Sequence, residues 1–351
     1  MSSSKPPTPA RPATMKSTYV TGPGTTAVLD VPTPEVGPRD ALVKVRACGI
    51  CGSDSFYVSL GGLPGREGHT PLGHEPAGEI VELGAEVTDL RVGDHVVVNP
   101  MAAPTGIIGS GGSTGGLSDY LLIEDAEVGR SLAVVPDHIP WEVAALNEPM
   151  AVARHAVNRT APKPGDKIVI FGAGPIGLGA AISYMAAGAG SIVVVDVIPE
   201  RLELAREIGV DDVIDSRTEN VTERLVEIHG EGETRRGVRK AASDIYLDAA
   251  GAAPVFGAVT AAATHGATVG IVGVHKNPVE LDLGQLLGSE LTIVLSMGYP
   301  TEIFEVTRDI VANWEKYAVI VSDVIPFGDV EQALTLAATP GAADKVVVVF
   351  D

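Results

Sequence analysis

Four side chains offer the donors of a metal centre. Cys51 lies in "CGICGSD", His74 and Glu75 follow Gly73 in "GHEP", and Glu148 lies in "NEPMAVARHAV" at the start of an expected helix. A thiolate, an imidazole and carboxylates together suit zinc, and a catalytic zinc needs about three protein ligands with one position open. Spacing alone leaves the matter open. Cys48 and Cys51, the only cysteines, also fit a thioredoxin-like redox pair or buried filler. The redox reading wants a compact βαβ unit, which the flanking Gly- and Pro-punctuated β-branched runs do not offer. Ser53 and Asp54 follow directly; a turn hydroxyl and a helix cap are their ordinary alternatives. His69 and His155 read as structural or exposed, and Trp141 and Trp314 as packing residues.

A second constellation is "GAGPIG", with Gly172, Gly174 and Gly177 in G-x-G-x-x-G spacing around Pro175 and Ile176. An apolar run, "DKIVIF", precedes it, a small-residue helical stretch follows, and Asp196 closes the next apolar run, "SIVVVD". In that context the glycines permit a tight turn, a close backbone approach to a pyrophosphate, and close helix–strand packing. The helix N-terminus presents free N–H groups to the phosphates. Asp196 can accept from a ribose 2′-hydroxyl and would repel a 2′-phosphate, which points to NAD rather than NADP. Arg201, five residues on, softens that preference. A βα turn without a ligand is the alternative, and no Lys-Ser/Thr pair supports a triphosphate loop.

The elements that must position these residues follow from hydrophobic rhythm. The first ~150 residues read as β-rich, with strands such as "ALVKVRA" and "GDHVVVNP". From Asp166, strands alternate with helices ("DDVID", "SDIYLDAAG", "GATVGIVGV", "LTIVLSMGY"), which implies a doubly wound parallel sheet. The charged stretch around "EGETRRGVRK" reads as a solvated helix and loop, "TEIFEVTRDIVANWEKY" as one helix, and "KVVVVFD" as a final strand. The chain has 351 residues, 45% of them hydrophobic, enough for two domains with sizeable cores. A net charge of −20 disfavours nucleic acid and anionic membranes as partners. No apolar run approaches the ~20 residues of a membrane span. The Pro- and Ser-rich start lacks the apolar core of a signal peptide and reads as a disordered leader over 1–15, with structure from Lys16 in a cytoplasmic protein.

"GHE" followed by Gly78, Gly84 and Val87, together with "CGICGSD" and "GDHV", resembles the zinc-containing alcohol dehydrogenases of the medium-chain dehydrogenase/reductase superfamily. "EPMAVARHAV" is similar to the polyol branch, with its sorbitol, butanediol and threonine dehydrogenases. The likeness extends from Lys16 to Asp351. It implies a GroES-like catalytic domain over 16–151, a Rossmann NAD-binding domain over 152–298 and a return to the catalytic domain over 299–351. It implies Cys51, His74 and Glu148 as zinc ligands, Glu75 as a ligand or exchanging near-ligand, and Cys48 as none. Ser53 would pass on the substrate proton and Asp54 would orient His74. Ala250, Val272 and Val274 fall where the family contacts the cofactor. A homodimer or homotetramer, paired along the edge strand "ELTIVLSMGY", is implied as well.

The pattern also departs from the family. Phe56 occupies the position of the polyol branch's relay histidine, so the proton path must differ and that wall of the pocket is more apolar. The region "NPMAAPTGIIGSGGSTGGLSDY" has no cysteine, so the four-thiolate structural zinc of many relatives is chemically impossible. One zinc per chain is expected, with a short glycine-rich loop held by packing or by a neighbouring subunit. The expected reaction is hydride transfer between a small alcohol or ketone substrate and NAD. A zinc-free NADPH quinone or enoyl reductase and a non-enzymatic dinucleotide-binding protein are the competing readings.

Overall fold

The computed structural model describes residues 11–232 and 238–351. Most of the expected leader lies outside the described residues, but its end is structured. Strand β1 (Thr14–Gly22) begins ahead of Lys16 because Thr14 and Met15 pair with Pro32 and Val31 of β2 (Thr25–Pro32). The chain forms two compact units. One runs to Glu148 and is completed by Asp309–Trp314 and Val321–Asp351; the other comprises Pro149–Arg308 and Glu315–Ile320. The return to the first unit, expected at 299, thus comes later. Glu302 holds that segment to the second unit, accepting from Asn158 at 3.1 Å and pairing with His155 at 3.0 Å.

In the first unit, β3 (Ala41–Gly49) is a nearly continuous buried run. It is followed by α1 (Gly52–Leu60), β4 (Thr70–Pro71), β5 (Glu75–Leu83), β6 (His95–Val98), β7 (Tyr120–Ile123), β8 (Leu132–Val135) and the short α2 (Trp141–Ala144). Helix α1 starts where Asp54 Oδ2 accepts from the Cys51 N–H at 3.0 Å, and it stops at Gly61 in the left-handed conformation. The cysteine-free segment between β6 and β7 is held by side chains of its own chain. Arg66 Nη1 donates to the carbonyls of Gly111 at 3.1 Å and Gly112 at 2.8 Å, and Tyr57 Oη donates to that of Ser110 at 2.9 Å.

The second unit begins within α3 (Asn147–Thr160). Strands β9 (Lys167–Phe171), β10 (Ser191–Asp196), β11 (Asp212–Asp215), β12 (Ile245–Asp248), β13 (Thr268–Ile271) and β14 (Thr292–Leu295) then form one parallel sheet. Its order is β11-β10-β9-β12-β13-β14, the doubly wound arrangement expected, whose chain reverses direction beside β9. Between the strands run α4 (Pro175–Ala186), α5 (Pro199–Glu207), α6 (Val221–His229), α7 (Ala253–Ala262) and α8 (Leu283–Leu287). Apolar strands such as "KIVIF" and "SIVVVD" are buried because helices cover the sheet. Of the charged stretch "EGETRRGVRK", residues 233–237 lie outside the described residues.

The single helix expected after Thr301 is two, α9 (Ile303–Ala312) and α10 (Trp314–Ala318). The break falls at Asn313, whose backbone N–H donates to the Asp309 carbonyl at 3.0 Å and whose side-chain amide donates to the same oxygen at 3.2 Å. Then β15 (Asp323–Pro326), α11 (Val330–Ala338) and β16 (Val346–Val349) rejoin the first unit, where β16 pairs with β3.

Away from the strand ends that face the glycine turn, the second unit buries a histidine. His229 Nδ1 shares a hydrogen with Ser243 Oγ at 2.7 Å and Nε2 with Ser191 Oγ at 3.2 Å. Burial, then the charge of Lys167, lower its pKa from 6.5 to about 4, against the opposing charges of Asp244, Asp211 and Asp212. The unfolded chain therefore takes this proton first as pH falls. The stability from keeping His229 neutral is complete above about pH 6.5 and is lost towards about pH 4. After allowance for solvent screening we expect about 1–2 kcal/mol from this group. Chemical denaturation across that range should show a flatter acid limb for His229→Gln than for the wild type; parallel limbs would contradict the assignment.

Candidate metal centre and dinucleotide edge

Cys51 caps α1, and His74 and Glu75 lead into β5. One ligand atom from each, a thiol sulfur, an imidazole nitrogen and a carboxylate oxygen, all lie within 4.8 Å of one another. His74 and Glu75 are buried and Cys51 is half-buried. The organiser is Asp54, which is fully buried. Its Oδ1 accepts from the Gly73 N–H at 3.1 Å and lies 3.6 Å from His74 Nδ1, while Oδ2 accepts from the Cys51 N–H. One carboxylate therefore ties the start of α1 to the approach of β5. Burial pushes the Asp54 pKa up, but the charge of His74 and these hydrogen bonds outweigh it and hold the pKa low. Burial likewise opposes the charged form of His74, and the charges of Asp54 and Cys51 overcome it and raise the pKa. With Asp54 beside Nδ1, Nε2 is the nitrogen left to ligate. Ser53 Oγ lies 3.4 Å from that Nε2.

The donor set fits a zinc ion. Glu75 Oε1 is buried with no hydrogen-bond partner, beside a thiol and an imidazole, which is a place for a cation. Glu148, in the first turn of α3, is buried but is not part of the cluster whose ligand atoms converge. Its charge acts instead on Lys345. Cys48 is fully buried in β3. Burial pushes its thiol far up, and the charges of Asp54 and Glu75 push it further, so it lacks the thiolate that a redox pair or a ligand needs. His69 is exposed, and His155 is spent on Glu302. Phe56 is 56% exposed on α1.

Sequence reasoning missed Lys345. Its ammonium is buried and donates to Glu75 Oε2 and to the Ile50 carbonyl. Burial would drain its charge, but Glu75, Cys51 and Glu148 hold its pKa above the usual lysine value. Gly49 makes room for the pair: a Cβ there would lie 1.8 Å from Glu75 Oε2 and 3.0 Å from Lys345 Cε. The available signal was a lone lysine heading a run of four valines, a cation placed where the strand is going to be buried.

The second unit presents the glycine turn. Gly172 has φ +102°, and a Cβ on Gly177 would lie 1.8 Å from the Gly172 carbonyl oxygen. Gly174 caps α4, and its Cβ position faces open space, as a close phosphate requires. Pro175 and Ile176 form the first turn of that helix. Asp196 ends β10; its Oδ2 accepts from the Ala173 N–H at 2.6 Å, and its Oδ1 from Val197 at 2.6 Å and Ile198 at 2.9 Å. Arg201 is half-buried on α5. Ala250 follows β12, and Val272 and Val274 follow β13. A second unforeseen organiser, Asp248, sets these loops. Its Oδ1 accepts from Ala250 and Gly251, its carbonyl from Val272 and Gly273, and its Oδ2 pairs with His275 Nε2 at 2.7 Å.

Two family descriptions match the chain: "Alcohol dehydrogenase GroES-like domain" over residues 37–136 and "Zinc-binding dehydrogenase" over residues 175–313. It is 32% identical to (R,R)-butanediol dehydrogenase of Bacillus subtilis over 289 residues, covering 76% of this chain and 79% of that protein. It is 31% identical to sorbitol dehydrogenase of Bombyx mori, covering 91% and 93%. The crystal structure of 2R,3R-butanediol dehydrogenase from Bacillus subtilis superposes with a TM-score of 0.83 at 27% identity, covering 95% of this chain and 99% of that one.

The buried Lys345–Glu75 pair has a direct test. Lys345→Met leaves a buried carboxylate uncompensated and should cost about 3–5 kcal/mol in urea denaturation, most of which Glu75→Gln in the same chain should restore. Additive losses in the double variant would contradict the pairing.

Proposed function

This chain belongs to the zinc-containing alcohol dehydrogenase family of the medium-chain dehydrogenase/reductase superfamily, and from that premise we propose that it oxidises a secondary alcohol or diol to the ketone with NAD. The observation behind this reading is the convergence of Cys51, His74 and Glu75, an orphaned carboxylate oxygen among them. These three are the proposed holders of one zinc ion per chain, with Glu148 as the ligand that would have to move in when the ion binds. A bound zinc ion supplies Lewis acidity, which lowers the pKa of an oxygen it holds. A bound nicotinamide supplies the hydride acceptor.

The chain's own residues do the rest. Asp54, 3.6 Å from His74 Nδ1, would favour a proton there, so that a bound ion would take the place of a proton at Nε2. Ser53 Oγ, on the Nε2 side of that ring, is the proposed first acceptor of the substrate's hydroxyl proton. Phe56 supplies no imidazole to pass the proton on, so the path continues through water or cofactor ribose hydroxyls. Lys345 holds Glu75 by one oxygen and leaves the other for the ion. In the second unit, Gly172, Gly174 and Gly177 would admit the pyrophosphate at the start of α4, and Asp196 with Arg201 would take the adenosine ribose. Ala250, Val272 and Val274 would line the nicotinamide half.

An assembly of two or four copies is part of the proposal. Edge strand β14 exposes Leu295 and Ile293, with Met297 just after it, and Leu283 and Leu287 of α8 are exposed too, an apolar surface suited to a second copy. No helix among the described residues is long and apolar enough to cross a membrane. A cytoplasmic setting, which keeps the Cys51 thiolate reduced, fits both free cysteines.

Metal analysis combined with NAD-linked oxidation of an alcohol and diol panel tests the reading. About one zinc per chain is expected, and Cys51→Ala should lose both the metal and more than about a hundredfold in turnover, since even outer partners of a ligand cost 10–100-fold. Bound zinc with no turnover would favour a binding protein, and no zinc with NADPH-linked reduction would favour a zinc-free reductase. Sedimentation should give a dimer or tetramer that Leu295→Asp weakens; a monomeric wild type would remove the assembly from the account.

A further inference from the structure

A bidentate ion pair sits at the edge where the adenosine ribose is proposed to lie. Asp196 and Asp215 are partners in register at the ends of the parallel strands β10 and β11. Register partners point to the same face and lie about 4.8 Å apart, so two carboxylates stand side by side. The pairing runs one residue further, Ser216 N–H donating to the Asp196 carbonyl at 3.1 Å. Arg217 comes next. Its guanidinium folds back on Asp215, Nε to Oδ1 at 3.2 Å and Nη2 to Oδ2 at 3.1 Å, and its own N–H donates to Oδ1 at 3.0 Å. The Arg217 side chain is 53% exposed and that of Asp215 19%, so the fork is presented at the surface. The guanidinium also feels the charges of Glu200 and Asp196.

We infer that Asp215 is a specificity-determining residue, a clamp that occupies Arg217 and so denies a 2′-phosphate the cation it would need. The inference rests on the NAD reading above and deepens it. A guanidinium fork matches a phosphate as well as it matches a carboxylate, so the two compete for the same N–H groups. While Asp215 holds the fork, the edge offers a ribose phosphate two carboxylates and no free guanidinium at this position. Replacing that carboxylate by an amide keeps an acceptor for the Arg217 N–H. It removes one negative charge and releases the fork to a 2′-phosphate. Asp196 alone would then oppose NADP, and it still accepts from Ala173, Val197 and Ile198.

The test is the dissociation constant of NADH and of NADPH, read by nicotinamide fluorescence on the full chain. Asp215→Asn should tighten NADPH about tenfold or more and leave NADH within about twofold, a gain of roughly 1.4 kcal/mol for NADPH. Arg217→Gln added to it should abolish the gain. Arg217→Gln alone should leave NADH unchanged and should not tighten NADPH, because it frees no cation and leaves the Asp215 charge uncompensated. The inference is overturned if Asp215→Asn leaves the NADPH constant where it was, if the gain survives the loss of Arg217, or if Arg217→Gln alone tightens NADPH. Failure of the wild type to bind either dinucleotide is a different result, which sinks the cofactor site itself. Thermal midpoints of the variants separate misfolding from a change in selectivity.

Discussion

The buried carboxylate of Asp54 is the constraint on which the centre depends. A charge taken out of water must be repaid by hydrogen bonds and an opposite charge. Asp54 meets that demand with the N–H groups of Cys51 and Gly73 and with the ring of His74. Each partner belongs to a different part of the site: the cap of α1, the turn before β5, and the imidazole. Satisfying one buried charge thus sets the thiol and the imidazole at ligand distance. The same balance operates at Glu75, which Lys345 answers from the residue before β16. Glu75 Oε1 is left buried without a hydrogen-bond partner.

The second unit works by backbone rather than by buried charge pairs. Its glycines let chain approach chain at Gly177 and leave open space at Gly174. Its aspartates end strands and gather N–H groups, Asp196 at β10 and Asp248 at β12. Both use the fact that parallel strands finish at one edge with unpaired donors that a carboxylate can collect. The chemistry the family is known for requires a metal-polarised oxygen and a nicotinamide, and each unit carries the residues proposed for one of them.

The local patterns of this sequence specify its elements, and the contacts between distant residues are not legible in it. The parallel sheet was legible because its strands are apolar runs and its turns are glycines. The pairing of Cys51 with His74 and Glu75 was legible only through resemblance, since spacing left a redox pair open. Burial of Cys48 weighs against the redox pair, and its sulfur lies against Gly73 and Gly116, which no local pattern states. Lys345 is 270 residues from Glu75, beyond any periodicity argument. Glu148 was expected among the ligands, and the structure brings its charge to Lys345 rather than its oxygens into the cluster. The helix after Thr301 breaks at Asn313 although its apolar spacing runs through the break.

The central claim is that Cys51, and not the CxxC pair, is the thiolate of a single zinc site built with His74 and a carboxylate. X-ray absorption at the zinc edge on the metal-loaded protein measures this directly by counting sulfur neighbours. The account predicts one sulfur at about 2.3 Å with the remaining ligands nitrogen and oxygen at about 2.0–2.2 Å. Two sulfurs in the coordination shell would place Cys48 on the metal and contradict it.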